Sequence, residues 1–413
     1  MILYQTLASV GLDRESLPQA ALDVTNRVRT NPFPWRGQFS PQLAEKLLAA
    51  YAPRGSFILD PFVGSGTSLM EAARLGLAAS GTELNPAAAL LAKVYSLVNR
   101  STAARTAAIR EVQAGLIRAL GYSSAPLFQE AAPLDHSALE RNLIHLWSQS
   151  TGGPAKDIAA ALVVLADFHR RLNARRIEDT WRRLQETVHA LPKSVAPIGV
   201  HHADARSLPH DTQSIDLVLT SPPYINVHNY HQQYRRSVEA MAHNVLAIAR
   251  SEIGSNRQNR ANRFLTVVQY SLDMSLALLE IVRVTRSAGL SILVVGREST
   301  VCGVRFFNGE LIAELAVRTA GLRLERRQER VFRNRYGKSI YEDILHVRST
   351  GEIVDENSVL NSARSVAKEL LWATRRNIDL VAKRPLLDDA LERIPAITPS
   401  PMFVAQSPSR SCQ

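Results

Sequence analysis

The sequence has little cysteine, little lysine and no long apolar run. Two cysteines among 413 residues, Cys302 and Cys412, are too few for a disulfide framework or a four-cysteine zinc site, so a reducing cytoplasm is expected. Apolar runs such as 291–295 are far too short to cross a bilayer, and the first residues lack the basic start and apolar core of a signal peptide. A membrane-bound or secreted protein is therefore not expected.

The charge balance is strongly basic and rests almost entirely on arginine. Lys+Arg number 49 against 38 Asp+Glu, which gives a net charge of +11, and only seven of the 49 are lysine. The planar guanidinium fork fits phosphate groups and guanine edges, which favours a nucleic-acid partner. A GC-rich genome would also raise the arginine content, so the charge alone leaves the partner open.

Short apolar runs alternate with helical patterns along most of the chain. One helix is predicted at 41–51 behind an N-cap Ser40, and another at 67–75 with Gly76 as its C-cap. Strands are predicted at 56–60, 78–83, 198–201, 215–220, 290–295, 322–331 and 344–347. This alternation predicts an α/β fold with a doubly wound, mostly parallel sheet.

A helical stretch of about 110 residues interrupts this pattern between the second and third strands. We therefore divide the chain into an N-terminal part with a glycine-rich turn (1–98), a helical insertion (99–197), a second α/β part (198–349) and a C-terminal part (350–413). The last part is predicted to contain one helix, at 361–382, and then a loose, proline-rich tail.

A glycine-rich turn joins the first predicted strand to its helix, with the sequence Asp60-Pro61-Phe62-Val63-Gly64-Ser65-Gly66-Thr67. Gly64 and Gly66 let the backbone turn tightly and approach a ligand closely. The third glycine of a dinucleotide-binding fingerprint would fall at Leu69, and the Gly-Lys pair of a P-loop is absent. Because the turn begins with a carboxylate, Asp60, it suits a positively charged ligand better than a pyrophosphate.

Glu83 ends the second predicted strand, 23 residues after Asp60. A carboxylate at this position can accept hydrogen bonds from both hydroxyls of a ribose, as in nucleotide-binding βαβ units. Some glycine-rich turns are purely structural, but acidic residues on both sides of this one favour a ligand.

The second motif is Thr220-Ser221-Pro222-Pro223-Tyr224, at the end of the fourth predicted strand. Prolines cannot donate the hydrogen bonds of a sheet, so the chain leaves the sheet at its C-terminal edge, where α/β proteins bind ligands. The prolines hold the Ser221 hydroxyl and nearby carbonyls as rigid acceptors beside the Tyr224 ring. This arrangement suits a planar base with an exocyclic amine that stacks on the ring. The alternative is a proline-stiffened loop with a structural tyrosine.

Together, DPFVGSGT, GTELNP and TSPPY resemble the motifs of the S-adenosylmethionine-dependent DNA amino-methyltransferases, specifically the cytosine-N4 group, over most of 33–348. The resemblance implies a Rossmann-like class I methyltransferase fold and S-adenosylmethionine as the cofactor. It assigns the ribose to Glu83 and the adenine amine to Asp204, and implies that 34–48 closes over the methionine part. The implied cofactor-binding residues are Asp60, Pro61, Phe62, Gly64, Ser65, Gly66, Thr67, Glu83, Asp204 and Ala205. The implied catalytic residues are Ser221, Pro222, Pro223 and Tyr224.

The reaction that the resemblance implies is direct, in-line transfer of a methyl group to the N4 amine of a cytosine flipped out of double-stranded DNA. Acceptors at Ser221 and Pro222 would localise the lone pair of that amine. Methylation at carbon 5 is excluded, because neither cysteine follows a proline as that chemistry requires. The implied setting is restriction-modification in the cytoplasm of a bacterium or archaeon. A cognate restriction endonuclease is left open as a second partner, and the oligomeric state is left unknown.

Three alternatives stay open: adenine-N6 methylation of DNA, amino-methylation of a structured RNA, and a binding protein that has kept the fold without catalysis. Adenine-N6 methylation would use the same kind of pocket, with acceptors for an exocyclic amine, as cytosine-N4 methylation. Amino-methylation of RNA is less favoured, because the sequence has no recognisable RNA-binding appendage. The intact motif residues favour an enzyme over the third.

The part of the chain that contacts DNA is not marked by a standard recognition domain. We predict that the helical insertion takes this role through a basic helix face with Arg171, Arg175 and Arg182. Two further basic stretches, 226–263 and 318–338, are predicted to contact phosphates. Asn226 and Tyr230 are candidates either for lining the base pocket or for contacting backbone phosphate. No metal site is predicted from the nearby histidines, which are His201, His202, His228 and His231.

Overall fold

The computed structural model describes residues 5–122, 134–225, 229–254, 259, 261–333, 337–352, 354–376 and 378–404. Its α-helices are α1 (Gln5–Ala8), α2 (Gln19–Asp23), α3 (Pro41–Tyr51), α4 (Thr67–Arg74), α5 (Pro86–Lys93), α6 (Thr102–Ala119), α7 (His136–Gln149), α8 (Gly153–Ala166), α9 (Ala174–Ala190), α10 (Arg235–Ala240), α11 (Val245–Ser251), α12 (Leu265–Val284), α13 (Asn308–Thr319), α14 (Glu356–Arg375) and α15 (Arg384–Arg393). Its strands are β1 (Phe57–Asp60), β2 (Ala78–Glu83), β3 (Ile198–His202), β4 (Ile215–Thr220), β5 (Thr285–Gly296), β6 (Glu298–Val301), β7 (Val304–Phe307), β8 (Leu322–Arg333) and β9 (Ser339–Ser349). Short 3-10 helices cover Val94–Asn99, Tyr230–Gln232, Ile378–Lys383 and Ile394–Ala396.

Seven strands form one sheet in the order β3-β2-β1-β4-β5-β9-β8, and β6 pairs with β7 outside it. The first five are parallel, whereas β9 is antiparallel to both of its neighbours. Inner strands such as β4 are nearly continuous apolar runs because helices cover both faces of the sheet. The order 3-2-1-4-5 is that of doubly wound nucleotide-binding sheets. The predicted fold class, a doubly wound and mostly parallel α/β sheet, is confirmed.

The β1–α4–β2 unit, which contains the glycine-rich turn, follows its predicted boundaries closely. Strand β2 agrees at both ends, and α4 ends at Arg74, so Gly76 follows the observed C-cap by one residue and has a φ of +68°. Ser40 occupies the N-cap of α3, but its side chain makes no capping hydrogen bond. Proline at the first helical position fixes that turn instead.

Helices α6, α7, α8 and α9 make up the inserted helical region. The side chains of Ser101, Asp135 and Asn173 cap the N-termini of α6, α7 and α9. Buried residues of α8 belong to the same hydrophobic core as those of α3, α5 and β1. Trp181 of α9 points into this core and donates a hydrogen bond to Gln113 of α6. The insertion is therefore packed on the α/β part, and the four-part division of the chain stays a prediction.

Helix α12 is the central helix of a second hydrophobic core on the other side of the sheet. Helix α12 is long and apolar enough to cross a membrane, so the expectation that the chain has only short apolar runs was wrong. However, 83% of its apolar window is buried inside the protein. Helices α13 and α14 pack against it. In this structure it is a core helix of the α/β fold.

The C-terminal part differs from its prediction in two ways. Helix α14 spans Glu356–Arg375 instead of 361–382, and α15 follows it. The segment 397–404, predicted to be loose, packs against the core because the backbone N–H and hydroxyl of Ser400 both donate to the buried Asp273 carboxylate. A proline-rich composition predicts irregular backbone but does not reveal these two specific donors.

Candidate active site

A cleft of about 700 Å³ opens at the C-terminal ends of β1, β2 and β4. This is the sheet edge at which doubly wound folds bind their ligands. The predicted residues that line it are Pro61, Phe62, Glu83, Asp204, Ala205, Ser221, Pro223 and the base-pocket candidate Tyr230. The cleft is completed by Trp35, Arg36, Gly37, Leu84, Asn85, Glu252 and Ile253.

Asp60 lies beneath the glycine-rich turn and lines a smaller adjoining pocket of about 300 Å³ together with Ser221. Its carboxylate accepts hydrogen bonds from the hydroxyls of Ser68 and Thr220, the latter at 2.6 Å, and from the N–H of Phe62 at 3.1 Å. Burial raises the pKa of Asp60 to about 6, although these three donors lower it. Asp60 thus connects the glycine-rich turn to β4, the strand that leads into the tetrapeptide Ser221-Pro222-Pro223-Tyr224.

The two glycines of the turn are required by different contacts. Gly64 has a φ of +53°, and a Cβ there would lie 3.3 Å from the Trp35 ring, which packs on the turn. Gly66 has a φ of +97°, and its Cβ would lie 2.5 Å from the Tyr95 ring. A side chain at Gly66 would therefore be strained and would also collide with a core residue.

Ser65 and Thr67 face the segment that precedes α3. The Gln38 amide donates to the Ser65 hydroxyl at 2.7 Å, and the Thr67 hydroxyl donates to Asn31 at 2.8 Å. These bonds hold the segment against the glycine-rich turn, with Trp35 over the cleft. Closure of 34–48 over the methionine part of the cofactor stays a prediction.

Two backbone hydrogen bonds orient the Glu83 carboxylate at the cleft. The N–H groups of Gly64 and Asn85 donate to its two oxygens at 2.8 and 2.7 Å. Burial raises the pKa of Glu83 to about 7 against the effect of these donors. Because a carboxylate offers about four acceptor sites, Glu83 can still accept two further hydrogen bonds.

The tetrapeptide is fixed from the neighbouring helix and strand. Tyr270 of α12 donates its hydroxyl to the Pro223 carbonyl at 2.9 Å, and the Ser221 and Tyr224 hydroxyls lie 3.3 Å apart. At Gly296, at the end of β5, a Cβ would lie 2.7 Å from the Tyr224 ring, so only glycine leaves space for that ring.

The aromatic rings of Tyr230 and Trp35 line the cleft, whereas Tyr224, which was predicted to stack on a base, does not. Tyr230 and Trp35 line it with nearly parallel planes, 15° apart, and ring centroids separated by 6.3 Å. Tyr224 and Pro222 do not line it. Stacking of a base on Tyr224 stays a prediction, and the structure adds Tyr230 and Trp35 as aromatic surfaces at the same site.

Asp204 lines the cleft, and Arg206 holds its carboxylate in place. Three donor groups of Arg206 bond to its two oxygens at 2.7 to 3.0 Å, and the N–H of Phe403 donates at 3.1 Å. Arg206 also donates to Asp273 and to the carbonyl of Ser400, which ties the C-terminal segment to this end of the cleft. The predicted contact of Asp204 with adenine stays a prediction.

Two of the histidines near the motifs, His202 and His231, bond to other groups of the protein. His231 Nδ1 lies 2.6 Å from Glu252 Oε2, and His202 Nε2 lies 2.9 Å from the Leu84 carbonyl. Asn226, His228 and Cys412, which were named from the sequence, lie outside the described residues. So do Arg257 and Arg260 of the basic stretch 226–263 and Arg335 of the basic stretch 318–338. Glu252 was missed because nothing in its local sequence, Ser-Glu-Ile-Gly, marks a ligand-binding residue.

A larger groove of about 2800 Å³ lies between α9, the 27–41 segment and β8. Eight arginines and three acidic residues line it. Within the described part of the chain, four of these arginines make no side-chain hydrogen bond or ion pair, and they are Arg27, Arg36, Arg175 and Arg183. Arg36 lines both the groove and the cleft, so the two lie next to each other.

The other predicted basic residues are mostly neutralised by internal ion pairs. In 318–338, salt bridges to acidic residues engage Arg318, Arg323, Arg326, Arg327 and Arg330. In 226–263, Arg235 pairs with Glu239 and Arg236 with Glu140. Arg171, Arg175 and Arg182 were predicted to share one helix face, but this is wrong for Arg171, because α9 begins only at Ala174. Arg175 lines the groove, whereas Arg171 and Arg182 do not.

Residues 19–94, which include the glycine-rich turn and Glu83, match the family model N6_N4_Mtase, described as DNA methylase. This match confirms the resemblance to the DNA amino-methyltransferases. It also confirms S-adenosylmethionine, the methyl donor of that family, as the predicted cofactor. The matched region ends before the tetrapeptide and leaves N4 and N6 chemistry unresolved.

Further comparisons are more limited in extent. The chain is 39% identical over 61 residues to the type II methyltransferase M.MjaII of Methanocaldococcus jannaschii, which is 15% of this chain and 12% of that relative. A SAM-dependent methyltransferase from Methanosarcina mazei is 13% identical with a TM-score of 0.34, covering 74% of this chain and 98% of the other. The rRNA methyltransferase aviRa from Streptomyces viridochromogenes is 15% identical with a TM-score of 0.32, covering 85% and 99%. Scores this low carry no conclusion about function.

Proposed function

We propose that this protein is a DNA methyltransferase that transfers a methyl group from S-adenosylmethionine to the N4 amine of cytosine. The observation that carries the proposal is the 2.6 Å hydrogen bond from Thr220 to Asp60, which joins the cofactor turn to the Ser221-Pro222-Pro223-Tyr224 motif. The two motifs proposed to bind the cofactor and the amine are therefore neighbours at one sheet edge, which supports the proposal.

The residues of the cleft fit S-adenosylmethionine, which supplies an electrophilic methyl group on a sulfonium. Glu83 accepts one backbone hydrogen bond on each oxygen, so it keeps two acceptor sites for the hydroxyls of a ribose. The buried Asp60 carboxylate provides negative charge near the glycine-rich turn, where a cationic group is stabilised.

The tetrapeptide would act on the target base. The Ser221 hydroxyl and the carbonyls of the proline segment accept hydrogen bonds from the exocyclic amine, which localises its lone pair and directs it at the methyl group. Tyr230 and Trp35 provide stacking surfaces for a flipped base at the same cleft. The Tyr270 hydroxyl holds the Pro223 carbonyl, so the backbone of the motif is anchored before the base arrives and little reorganisation is needed.

Double-stranded DNA is the proposed macromolecular partner, and the basic groove beside the cleft is the proposed contact surface. Its four unpaired arginines come from the 27–41 segment and α9, so the inserted helices would supply one wall. Phosphate contacts of this kind position a duplex without reading its sequence. Restriction-modification, with a cognate endonuclease, is the proposed biological setting.

The class of substrate can be tested by incubating the purified protein with tritiated S-adenosylmethionine and separate samples of duplex DNA, single-stranded DNA and structured RNA. We expect label in duplex DNA and none in RNA. Label in RNA alone would overturn the proposal and favour the RNA amino-methyltransferase. Absence of both label and cofactor binding would favour a protein without methyltransferase activity.

A further inference from the structure

Asp204, the residue expected to accept a hydrogen bond from the adenine amine of the cofactor, has no acceptor site left. Arg206 donates from its backbone N–H and Nε to one oxygen and from Nη2 to the other, and Phe403 donates its N–H to the second oxygen. These four hydrogen bonds fill the roughly four lone-pair sites of a carboxylate. An adenine amine could bond to Asp204 only by displacing one of these buried donors.

A second carboxylate in the same cleft, that of Glu252, still has an oxygen available to accept a hydrogen bond. Glu252 follows α11, lines the cleft and is 7% exposed. Its Oε2 is paired with His231 Nδ1 at 2.6 Å, whereas its Oε1 is buried and has no hydrogen-bond partner among the described residues. A buried carboxylate oxygen without a donor is unfavourable, so this atom is expected to bond to a ligand.

The backbone places Glu252 at the same end of the cleft as Asp204. The carbonyl of Ser251, the preceding residue, accepts from Arg206 Nη2 at 3.2 Å, and that nitrogen also bonds to Asp204. Leu84 and Ile253 contribute apolar surface to the lining there. An apolar slot with one unsatisfied acceptor suits a planar base that carries an amine.

We infer that Glu252, through Oε1, is the acceptor for the exocyclic amine of the cofactor's adenine, while Asp204 has the structural task of holding Arg206. This inference rests on the proposed function, because it assumes that an S-adenosyl compound occupies the cleft. His231 is the positioning residue: it is 2% exposed and fixes the other carboxylate oxygen.

The inference can be tested by calorimetry with two ligands that differ at the 6-position of the purine and at the protonation of the adjacent N1. S-adenosylhomocysteine carries the 6-amine, and S-inosylhomocysteine carries a 6-oxo group that accepts instead of donating. Wild-type protein should prefer the adenosyl compound by about tenfold or more, because the oxo group would face a carboxylate. In Glu252→Gln the amide can donate to the oxo group, so the preference should fall to about one or reverse.

Two variants serve as controls. Glu83→Gln, proposed to act on the ribose, should weaken both ligands by a similar factor and leave their ratio unchanged. Glu252→Asp keeps the charge but withdraws the oxygen, so it should weaken the adenosyl compound without improving the inosyl compound. Thermal unfolding in the absence of ligand establishes that each variant is folded.

The outcomes separate this inference from the proposed function. If the wild type binds neither compound, the proposed function fails and the inference fails with it. If it binds both and Glu252→Gln retains the full wild-type preference, the inference is wrong while the proposed function stands. An unchanged ratio combined with loss of methyl transfer would assign Glu252 to the target base instead, which also overturns the inference.

Discussion

Asp60 and Ser221 line one small pocket but are expected to have separable roles. Ser221→Ala removes an acceptor for the base amine and leaves the cofactor contacts in place. We expect turnover to fall about 10²–10³-fold, as for the loss of one transition-state hydrogen bond, with affinity for S-adenosylhomocysteine changed by less than about threefold. Single-turnover kinetics and calorimetry on the same variant measure the two quantities.

Asp60→Asn is the matched variant for the cofactor side. The amide oxygen can still accept from Thr220, so the fold should be kept, but the negative charge near the cofactor is lost. Affinity for S-adenosylmethionine should fall by about tenfold or more. If Ser221→Ala weakened cofactor binding as much as Asp60→Asn does, the division of roles would be wrong.

Two buried carboxyls make the binding of S-adenosylmethionine dependent on pH. Burial raises the pKa of Glu83 to about 7 and that of Asp60 to about 6, so both are partly protonated near pH 6.5. Hydroxyl donors and a cationic ligand favour the ionised forms, so binding should release protons and tighten as the pH rises from 6 to 8. Calorimetry at pH 6.5 in two buffers of different ionisation enthalpy measures this release.

In the ligand-free protein, the raised pKa of Glu83 has the opposite effect: its contribution to stability falls as the pH rises. The native pKa of Glu83 lies above its ordinary value of 4.5, so between pH 4.5 and 7 the folded state holds more protons than the unfolded state. The Glu83 contribution to the free energy of unfolding should therefore fall as the pH rises through this window. Glu83→Gln should remove both this dependence and part of the proton release. Proton uptake on binding would contradict the assignment.

At the scale of whole elements, the C-terminal segment is expected to stabilise one end of the cleft. A chain that ends after Ala396 loses the donors that Ser400 and Phe403 supply to the buried Asp273 and Asp204. Each of the three lost hydrogen bonds to a carboxylate contributes about 1.5–3 kcal/mol, so the free energy of unfolding should fall by about 3 kcal/mol or more. Denaturant unfolding measures this change.

A chain that ends after Val404 is the control for this truncation, because it keeps all of these hydrogen bonds. Its stability and cofactor affinity should match those of the full chain. Equal stability of the two truncated chains would show that the C-terminal segment contributes nothing to the fold.

Elements whose pattern is local could be predicted from the sequence, whereas contacts between distant residues could not. Strand β2 and helix α3 lie where apolar periodicity and proline placement put them. Ser400 is separated from Asp273 by 127 residues, and no local signal indicates that pairing. Glu252 was missed for the same reason, since its partner and its cleft are contributed by other elements.

At the scale of the whole molecule, net positive charge is less informative than the four groove arginines that have no side-chain partner within the described part of the chain. Replacing Arg27, Arg175 and Arg183 with Gln should weaken binding to duplex DNA and reduce the slope of log affinity against log salt by about one unit per lost phosphate contact. Fluorescence anisotropy over a range of salt concentrations measures the slope. Cofactor affinity should not change, because none of the three lines the cofactor cleft.

The control for the groove is the double variant Arg171→Gln and Arg182→Gln. Both residues are near the groove arginines in sequence, but neither lines the groove, and Arg182 pairs with Asp179. Its salt slope should stay within error of the wild type. Equal slopes for the triple variant and the wild type would mean that DNA binds elsewhere.

The most direct test of the central claim is mass spectrometry of nucleosides from DNA incubated with S-adenosylmethionine and either the wild type or Ser221→Ala. The account predicts N4-methyldeoxycytidine in the wild-type reaction and little or none with the variant. N6-methyldeoxyadenosine as the sole product would contradict the assignment to cytosine. Equal product from the two proteins would contradict the catalytic role of the tetrapeptide.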